Sequence, residues 1–257
     1  MPSFQRLVCL TCGVFVSTAY AQFQTPSAYG WERGVSDMST FAEWEFFSSP
    51  AGPNSPGTNT VVGDLPEDAP AFNAFDFAFE TSGSFITSGG NIYSFSGIVS
   101  PETTSPGFAM GYGYKTSVLF QVQTLGVEPD PESFVLNGRR EPIEVVEIAT
   151  GDVGGPFGGL DVTTLVRFEF ARNDLANSVF FEAIGTSLSF DQALIDTFTE
   201  PMDCSVDLDL SGSVDFFDTI EILKDVDALD GDWNGDGSTT PADTLDFVAA
   251  VETGCDP

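Results

Sequence analysis

Residues 166–170 read VRFEF, with Val166, Phe168 and Phe170 alternating with Arg167 and Glu169. Successive side chains on a strand point to opposite faces, so this period of two predicts a strand with one buried and one wet face. The same period appears at Phe75, Phe77 and Phe79, which alternate with Asp76, Ala78 and Glu80. Further strands are expected at NIYSFSGIVS (91–100), SVLFQVQTL (117–125), SVFFEAIG (178–185) and SLSFDQALIDTF (187–198). SFVLNGRREPIEVVEI (133–148) reads as a hairpin turning at Asn137-Gly138, a pair suited to the left-handed backbone of a tight turn. Residues 22 to about 60, rich in Pro, Ser, Gly and aromatics, predict an irregular start with one or two strands. Gly, Pro and Ser punctuate these segments, and no amphipathic helix precedes residue 200. The expected fold is therefore mainly β: an antiparallel β-sandwich or jelly roll over residues 22–200, with most of the 25 phenylalanines in its core.

The chain of 257 residues carries 39 acidic and eight basic side chains and no histidine, for a formal net charge of -31. So few cations cannot neutralise phosphates in number, which argues against nucleic acid as a partner. Anionic membranes are disfavoured for the same reason, and counter-cations, calcium among them, are favoured. The missing histidine removes the commonest general base and the commonest zinc ligand, and with them Ser-His-Asp or Cys-His catalysis in its usual form. MPSFQRLVCLTCGVFVSTAYAQ reads as a secretory signal: Arg6 supplies the positive start, Leu7 to Val16 the apolar run, and Ala19-Tyr20-Ala21 a small-x-small cleavage site. Residues 1–21, with Cys9 and Cys12, would then be removed. No later stretch approaches the ~18 apolar residues of a transmembrane segment. Export is the expectation, to the extracellular space or the cell surface.

Composition shifts at TFTEPMDC (197–204), beyond which acids abound and Lys224 is the only base. Residues 201–257 are expected to form a second, small, all-α domain. Its helices fall at FFDTIEILKDV and PADTLDFVAAVE, with Ile220, Ile222, Leu223 and Val226 on one face of the first, and Leu245, Val248, Ala249 and Val251 on one face of the second. Each helix follows a 12-residue acidic stretch: DLDLSGSVDFFD (207–218) and DWNGDGSTTPAD (232–243). Calcium takes six to eight oxygen ligands, which a 12-residue loop supplies from positions 1, 3, 5, 7, 9 and 12, with Gly at 6 for the sharp turn. The first loop offers Asp207, Asp209, Ser211, the Ser213 carbonyl, Asp215 (directly or through water) and Asp218. The second offers Asp232, Asn234, Asp236, the Ser238 carbonyl, Thr240 and Asp243. Gly212 and Gly237 hold the sixth position, and β-branched Val214 and Thr239 the eighth, where they could pair the loops across a short ladder. Two calcium ions are the expected cofactors. Cys204 and Cys255 flank both repeats, and an even pair in an exported chain predicts a disulfide. Closing a loop of about 50 residues is worth roughly 4 kcal/mol in the chain-entropy model.

On these motifs residues 204–257 resemble a type I dockerin module, built from two calcium loop–helix repeats. The resemblance covers about a fifth of the chain. The twelfth-position Asp, here Asp218 and Asp243, and the absence of a helix before the first loop belong to that family's EF-hand-like pattern. The resemblance implies a cohesin-like or other scaffold partner and an extracellular assembly. Two features depart from it. Ser211 replaces an acidic or amide ligand, which weakens the first site. Positions 10 and 11 differ between repeats, Phe216-Phe217 against Pro241-Ala242, so the two halves are not interchangeable faces. The Phe pair is either an exposed docking patch or core.

No motif is specific in the β region. Trp31 and Trp44 are candidates for stacking on sugar rings, against a buried role. Arg139-Arg140 at the hairpin tip could hold an anion or be a solvated turn. GDVGGPFGGLD (151–161) lacks the Lys-Ser/Thr of a phosphate loop and reads as a connection. Two functions from different classes follow. In the first, a carbohydrate- or surface-binding β-sandwich, with a polysaccharide as ligand, is carried on the docking module. In the alternative, the chain is a polysaccharide-degrading glycoside hydrolase with the same tail. That enzyme needs two opposed carboxylates, for which Asp191, Asp196 and Glu169 are available but undistinguished.

Overall fold

A computed structural model describes residues 23–77, 83–95, 98–152, 159–172, 174–185, 187–227 and 231–255. The expected signal segment with Cys9 and Cys12, Phe79, and most of the Gly-rich 151–161 stretch lie outside the described residues. The strands in chain order are β1 (Ser39–Trp44), β2 (Thr58–Val62), β3 (Asn73–Phe77), β4 (Phe85–Ile86), β5 (Ile92–Ser94), β6 (Ile98–Val99) and β7 (Pro101–Pro106). Then follow β8 (Tyr114–Gly126), β9 (Val135–Leu136), β10 (Glu144–Asp152), β11 (Leu160–Ala171), β12 (Ala176–Phe180), β13 (Ala183–Ile184) and β14 (Leu188–Pro201). Two helices close the chain, α1 (Phe216–Asp227) and α2 (Pro241–Thr253). The chain is mainly β with antiparallel sheets, as its periodicity predicts. No helix among the described residues is long and apolar enough to cross a membrane.

The larger sheet runs β10-β11-β8-β14-β1-β2, with β5 also pairing β14 and β4 pairing β5. A four-stranded sheet runs β3-β7-β12-β9, and β13 pairs β6. Alternation along β8 and β14 explains the layering. Val118, Phe120 and Val122 of β8 and Ala193 and Ile195 of β14 face a core shared with Phe75 of β3, Leu136 of β9 and Val179 of β12. The intervening side chains face away, where Leu119 and Leu165 pack under Trp31 of the chain's first described segment. Trp31 stacks on Phe198 with ring centroids 5.6 Å apart. The larger sheet is therefore apolar on both faces at its centre, where Val118, Leu119 and Phe120 follow one another in β8.

One open choice is decided and two expectations change. Trp31 and Trp44 are core residues, 3% and 0% exposed, and the Trp44 indole donates to the Asn54 carbonyl at 2.8 Å. Neither is open to a sugar. Asn137 and Gly138 do form a turn, both with positive φ, and the Leu136 and Arg140 backbones bond across it. Its arms then part: β9 joins β12 and β10 joins β11. Pro142 has no N–H to extend a ladder, so the pairing stops after the turn. Finally, NIYSFSGIVS and SVFFEAIG each divide into two short strands that serve different sheets.

On the outer face Arg33 grips the fully buried carboxylate of Asp196, its Nε and Nη2 donating at 2.7 and 2.6 Å. The guanidinium also lies over the Phe41 ring, 4.0 Å from its centroid. Burial pushes the Asp196 carboxyl up, and Arg33 opposes that push. Breaking such a pair strands a charge and costs more than replacing both partners by apolar groups. R33A is expected to lower the unfolding free energy by about 3 kcal/mol and R33M/D196L by less than half of that, as read from urea midpoints.

Candidate functional site

The C-terminal loops are organised by carboxylates that accept backbone N–H groups. Asp218 Oδ1 accepts from Leu208 N (2.7 Å) and Asp209 N (3.2 Å), and its Oδ2 from Asp215 N (2.7 Å). Asp207 accepts from Ser211 N (3.0 Å) and Gly212 N (2.9 Å), while Asp209 Oδ1 shares the Ser211 N–H at 3.0 Å. Ser213 N donates to Ser211 Oγ (3.3 Å), and Phe217 N to Asp215 Oδ1 (2.8 Å).

Every one of these bonds recurs in the second loop. Asp243 accepts from Trp233, Asn234 and Thr240 N–H groups. Asp232 accepts from Asp236 and Gly237, and Asn234 Oδ1 from Asp236. Ser238 N donates to Asp236 Oδ1, and Ala242 N to Thr240 Oγ1. Chain geometry enforces the match. Gly212 and Gly237 have φ of 83° and 85°, a left-handed backbone that glycine adopts without a Cβ penalty. The fourth position is left-handed as well, φ 58° at Leu210 and 71° at Gly235. That requirement was visible in the sequence only as the glycine of the second loop.

Asp218 and Asp243 are fully buried, and this fixes how the helices are rotated. On α1 the buried residues are Asp218, Ile222 and Asp225, and on α2 they are Asp243 and Phe247. Those are the i, i+4 and i+7 positions of one face. The apolar faces expected from the sequence are thereby partly turned outward: Leu223, Leu245 and Val248 are exposed. Phe216 and Phe217 are exposed too, so of their two readings the core one does not hold. Val214 packs in the module's apolar cluster, and among the described residues no ladder joins it to Thr239. Cys204 and Cys255 are paired, with Cα atoms 5.2 Å apart.

The positions expected to bear ligands are not equally placed. One oxygen each from Asp207, Asp209 and Asp218 gathers within 4.8 Å, the one such carboxylate group of three among the described residues. Asn234 stands at the place of Asp209 in the second loop. Its amide oxygen accepts the Asp236 N–H, and its Nδ2 donates to Asp246 at 2.9 Å. Ser211 and Asp236 stand at the fifth position, both exposed. Asp215 and Thr240, at the ninth, are occupied in capping the helices; Thr240 and Asp243 form a reciprocal capping box. The Ser213 carbonyl accepts from Ser211 Oγ at 3.1 Å, and Ser238 is exposed. An all-oxygen donor set of this kind suits a hard cation rather than a soft one.

Elsewhere the carboxylates considered for hydrolysis are engaged. Asp196 is sealed under Arg33, Glu169 pairs with Arg167 at 2.6 Å, and Asp191, pushed up by burial, accepts from Asn91. Arg139 and Arg140 turn to Asp225 of α1. A cavity of about 600 Å³ beside them is lined by Arg139, Arg140 and Lys224, but also by Glu141, Glu169, Glu221 and three aspartates, so acids outnumber bases and an anion is disfavoured there. No family model, curated protein or solved structure matches this chain.

The Thr240 N–H, with those of Asn234 and Trp233, holds the Asp243 carboxyl below its ordinary value. A depressed folded value means that the stabilisation is complete above the unfolded value of ~3.9 and is lost as pH falls through the folded one. In the other direction, burial pushes Asp207 up, helped by the charge of Asp218. Wild type is expected to lose helix signal as pH falls from about 4 towards 2, and D243N to show a flatter acid profile with about 1–2 kcal/mol less stability at pH 7. Circular dichroism with urea at each pH checks both.

Proposed function

We propose that this is a secreted calcium-binding protein in which a dockerin-like C-terminal module docks a β-sandwich, itself carbohydrate- or surface-binding, into an extracellular assembly. One observation carries the reading: two 12-residue loops share a hydrogen-bond scheme position by position, and in the first of them three carboxylate oxygens gather within 4.8 Å. A merely solvated acidic tail has no reason to repeat a scheme or to bury Asp218 and Asp243. Calcium would relieve the mutual repulsion of Asp207, Asp209 and Asp218, and its binding free energy would add to the stability of a domain too small to rely on its core. The docking face for a cohesin-like scaffold is assigned to Phe216, Phe217 and Leu245, each well over half exposed. Since their counterparts differ between repeats, that face has one orientation.

For the β region, the place of Trp31 and Trp44 is taken by an exposed aromatic group at the β4–β5 hairpin. Phe85, Tyr93 and Phe95 lie with centroids 4.8–5.9 Å apart, and Phe85 and Phe95 are 44% and 59% exposed. Such rings offer apolar faces to the C–H faces of sugars. A net charge of -31 repels acidic polymers, so a neutral polysaccharide is the ligand class assigned.

Calorimetric titration of the full, oxidised chain is expected to give two bound calcium ions with a gain of helix by far-UV circular dichroism, and D207N/D209N one ion. Absence of binding at millimolar calcium would sink the proposal. Separately, affinity electrophoresis through neutral polysaccharides should retard the wild type, and F85A/F95A should lose at least about fivefold of that affinity, two stacking contacts being worth roughly 0.5–1.5 kcal/mol each. Equal retardation of both proteins would remove the hairpin from consideration.

A further inference from the structure

The C-terminal module is seated on the β region by the same residues that close its loops. β14 runs into it directly, and Met202 N bonds the Gly113 carbonyl at 2.9 Å. The second residue of each loop, Leu208 and Trp233, donates its N–H to the buried twelfth-position carboxylate. The side chains of these two residues lie in one apolar cluster with Ala171 and Tyr112 of the β region. Trp233 packs on Tyr112 at 4.9 Å between centroids. On α1, Asp218 and Asp225 share a face. Asp218 closes the first loop, and Asp225 accepts from the Tyr112 hydroxyl at 2.9 Å. Arg139 (3.1 Å), Arg140 (3.7 Å) and Arg172 (3.8 Å) surround the same carboxylate. Three of the chain's eight basic side chains thus meet one helix of a strongly acidic module.

We infer that cation occupancy of the loops and seating of the module on the β region are thermodynamically linked, through α1 and the Tyr112–Trp233 contact. The inference rests on the calcium reading above and adds its regulation. A cation that fixes Asp218 also fixes the rotation of α1, and with it the place of Asp225 among the arginines. A helix held by those arginines in turn presents Asp218 to the loop already oriented. Linkage is reciprocal, so each event must favour the other by the same factor. The module is then a cap on the β region as well as a carrier of a docking face. Arg139 and Arg140 line one cavity with Asp209 but supply no loop ligand, so their variants test linkage with every ligand side chain intact.

The experiment is hydrogen exchange of the full chain with and without calcium, combined with calorimetric calcium titration of wild type, R139A/R140A and Y112F. Calcium is expected to slow exchange in peptides covering residues 112–116 and 137–142 as well as in the loops, and R139A/R140A to bind calcium about tenfold more weakly. Y112F removes a single hydroxyl and is expected to weaken binding severalfold, which keeps the test decisive if the double variant does not fold. Suppose wild type binds calcium with its loops protected, the two β-region peptides exchange at unchanged rates, and the variants bind as tightly. Linkage is then overturned while the calcium reading stands. A wild type that binds no calcium overturns both.

Discussion

Two buried carboxylates with no cationic partner among the described residues, Asp218 and Asp243, set the geometry of the C-terminal fifth of the structure. Each is satisfied by three backbone N–H groups of its own loop, and a carboxylate in so little water needs all of them. Because the aspartate sits in the first turn of a helix, satisfying it turns that helix about its axis. Everything on the helix follows: Ile222 and Phe247 go inward, and Leu223, Leu245 and Val248 go outward. Apolar residues end at the surface because a hydrogen-bonded charge has claimed the interior face. Burying a Leu gains about 1.5–3 kcal/mol, whereas stranding a charged carboxylate costs several, so the carboxylate prevails.

The β region solves the opposite problem. Its central strands have more apolar surface than one core can take, and the first described segment covers the second face with Tyr29 and Trp31. Polar groups on that face are matched individually: Gln121 exchanges bonds with Gln24, and Asp196 is held by Arg33. Five of the seven cations among the described residues of this acidic chain are used this way, at least partly buried. Arg33 and Arg167 pair with acids of the larger sheet, and Arg139, Arg140 and Arg172 converge on the seam with α1. The outside is left acidic, which favours cations and neutral ligands over anionic ones.

Much of the strand content was legible, because alternation is a local signal and β8, β11 and β14 are long enough to display it. Helix limits were legible for a similar reason: Pro241 opens α2 behind Thr240, and Asp215 caps α1. Reading failed where a local pattern had two tertiary outcomes. Asn137-Gly138 dictates a turn but says nothing of whether its arms pair, and Pro142 with the docking of Arg139 and Arg140 sends them apart. Exposed and buried tryptophans look alike in a sequence, so the choice between a sugar-stacking and a buried role for Trp31 and Trp44 was decided only by the sheets that close over them. The β4–β5 aromatics were hidden by the opposite accident, since Phe in a strand is ordinarily core.

By itself the sequence determined the class of the chain, the two loops in register and the residues that line them. Each of these depends on spacing within a dozen residues. Tertiary structure alone decided which face of each helix is buried, where the arginines go, and that the module is seated on the sheet. Those depend on residues such as Tyr112 and Asp225, far apart in the chain, whose pairing no local spacing encodes. Contact between them is established only when β14 delivers the module to the edge of the core, and only then do a tyrosine, three arginines and one aspartate acquire a common role.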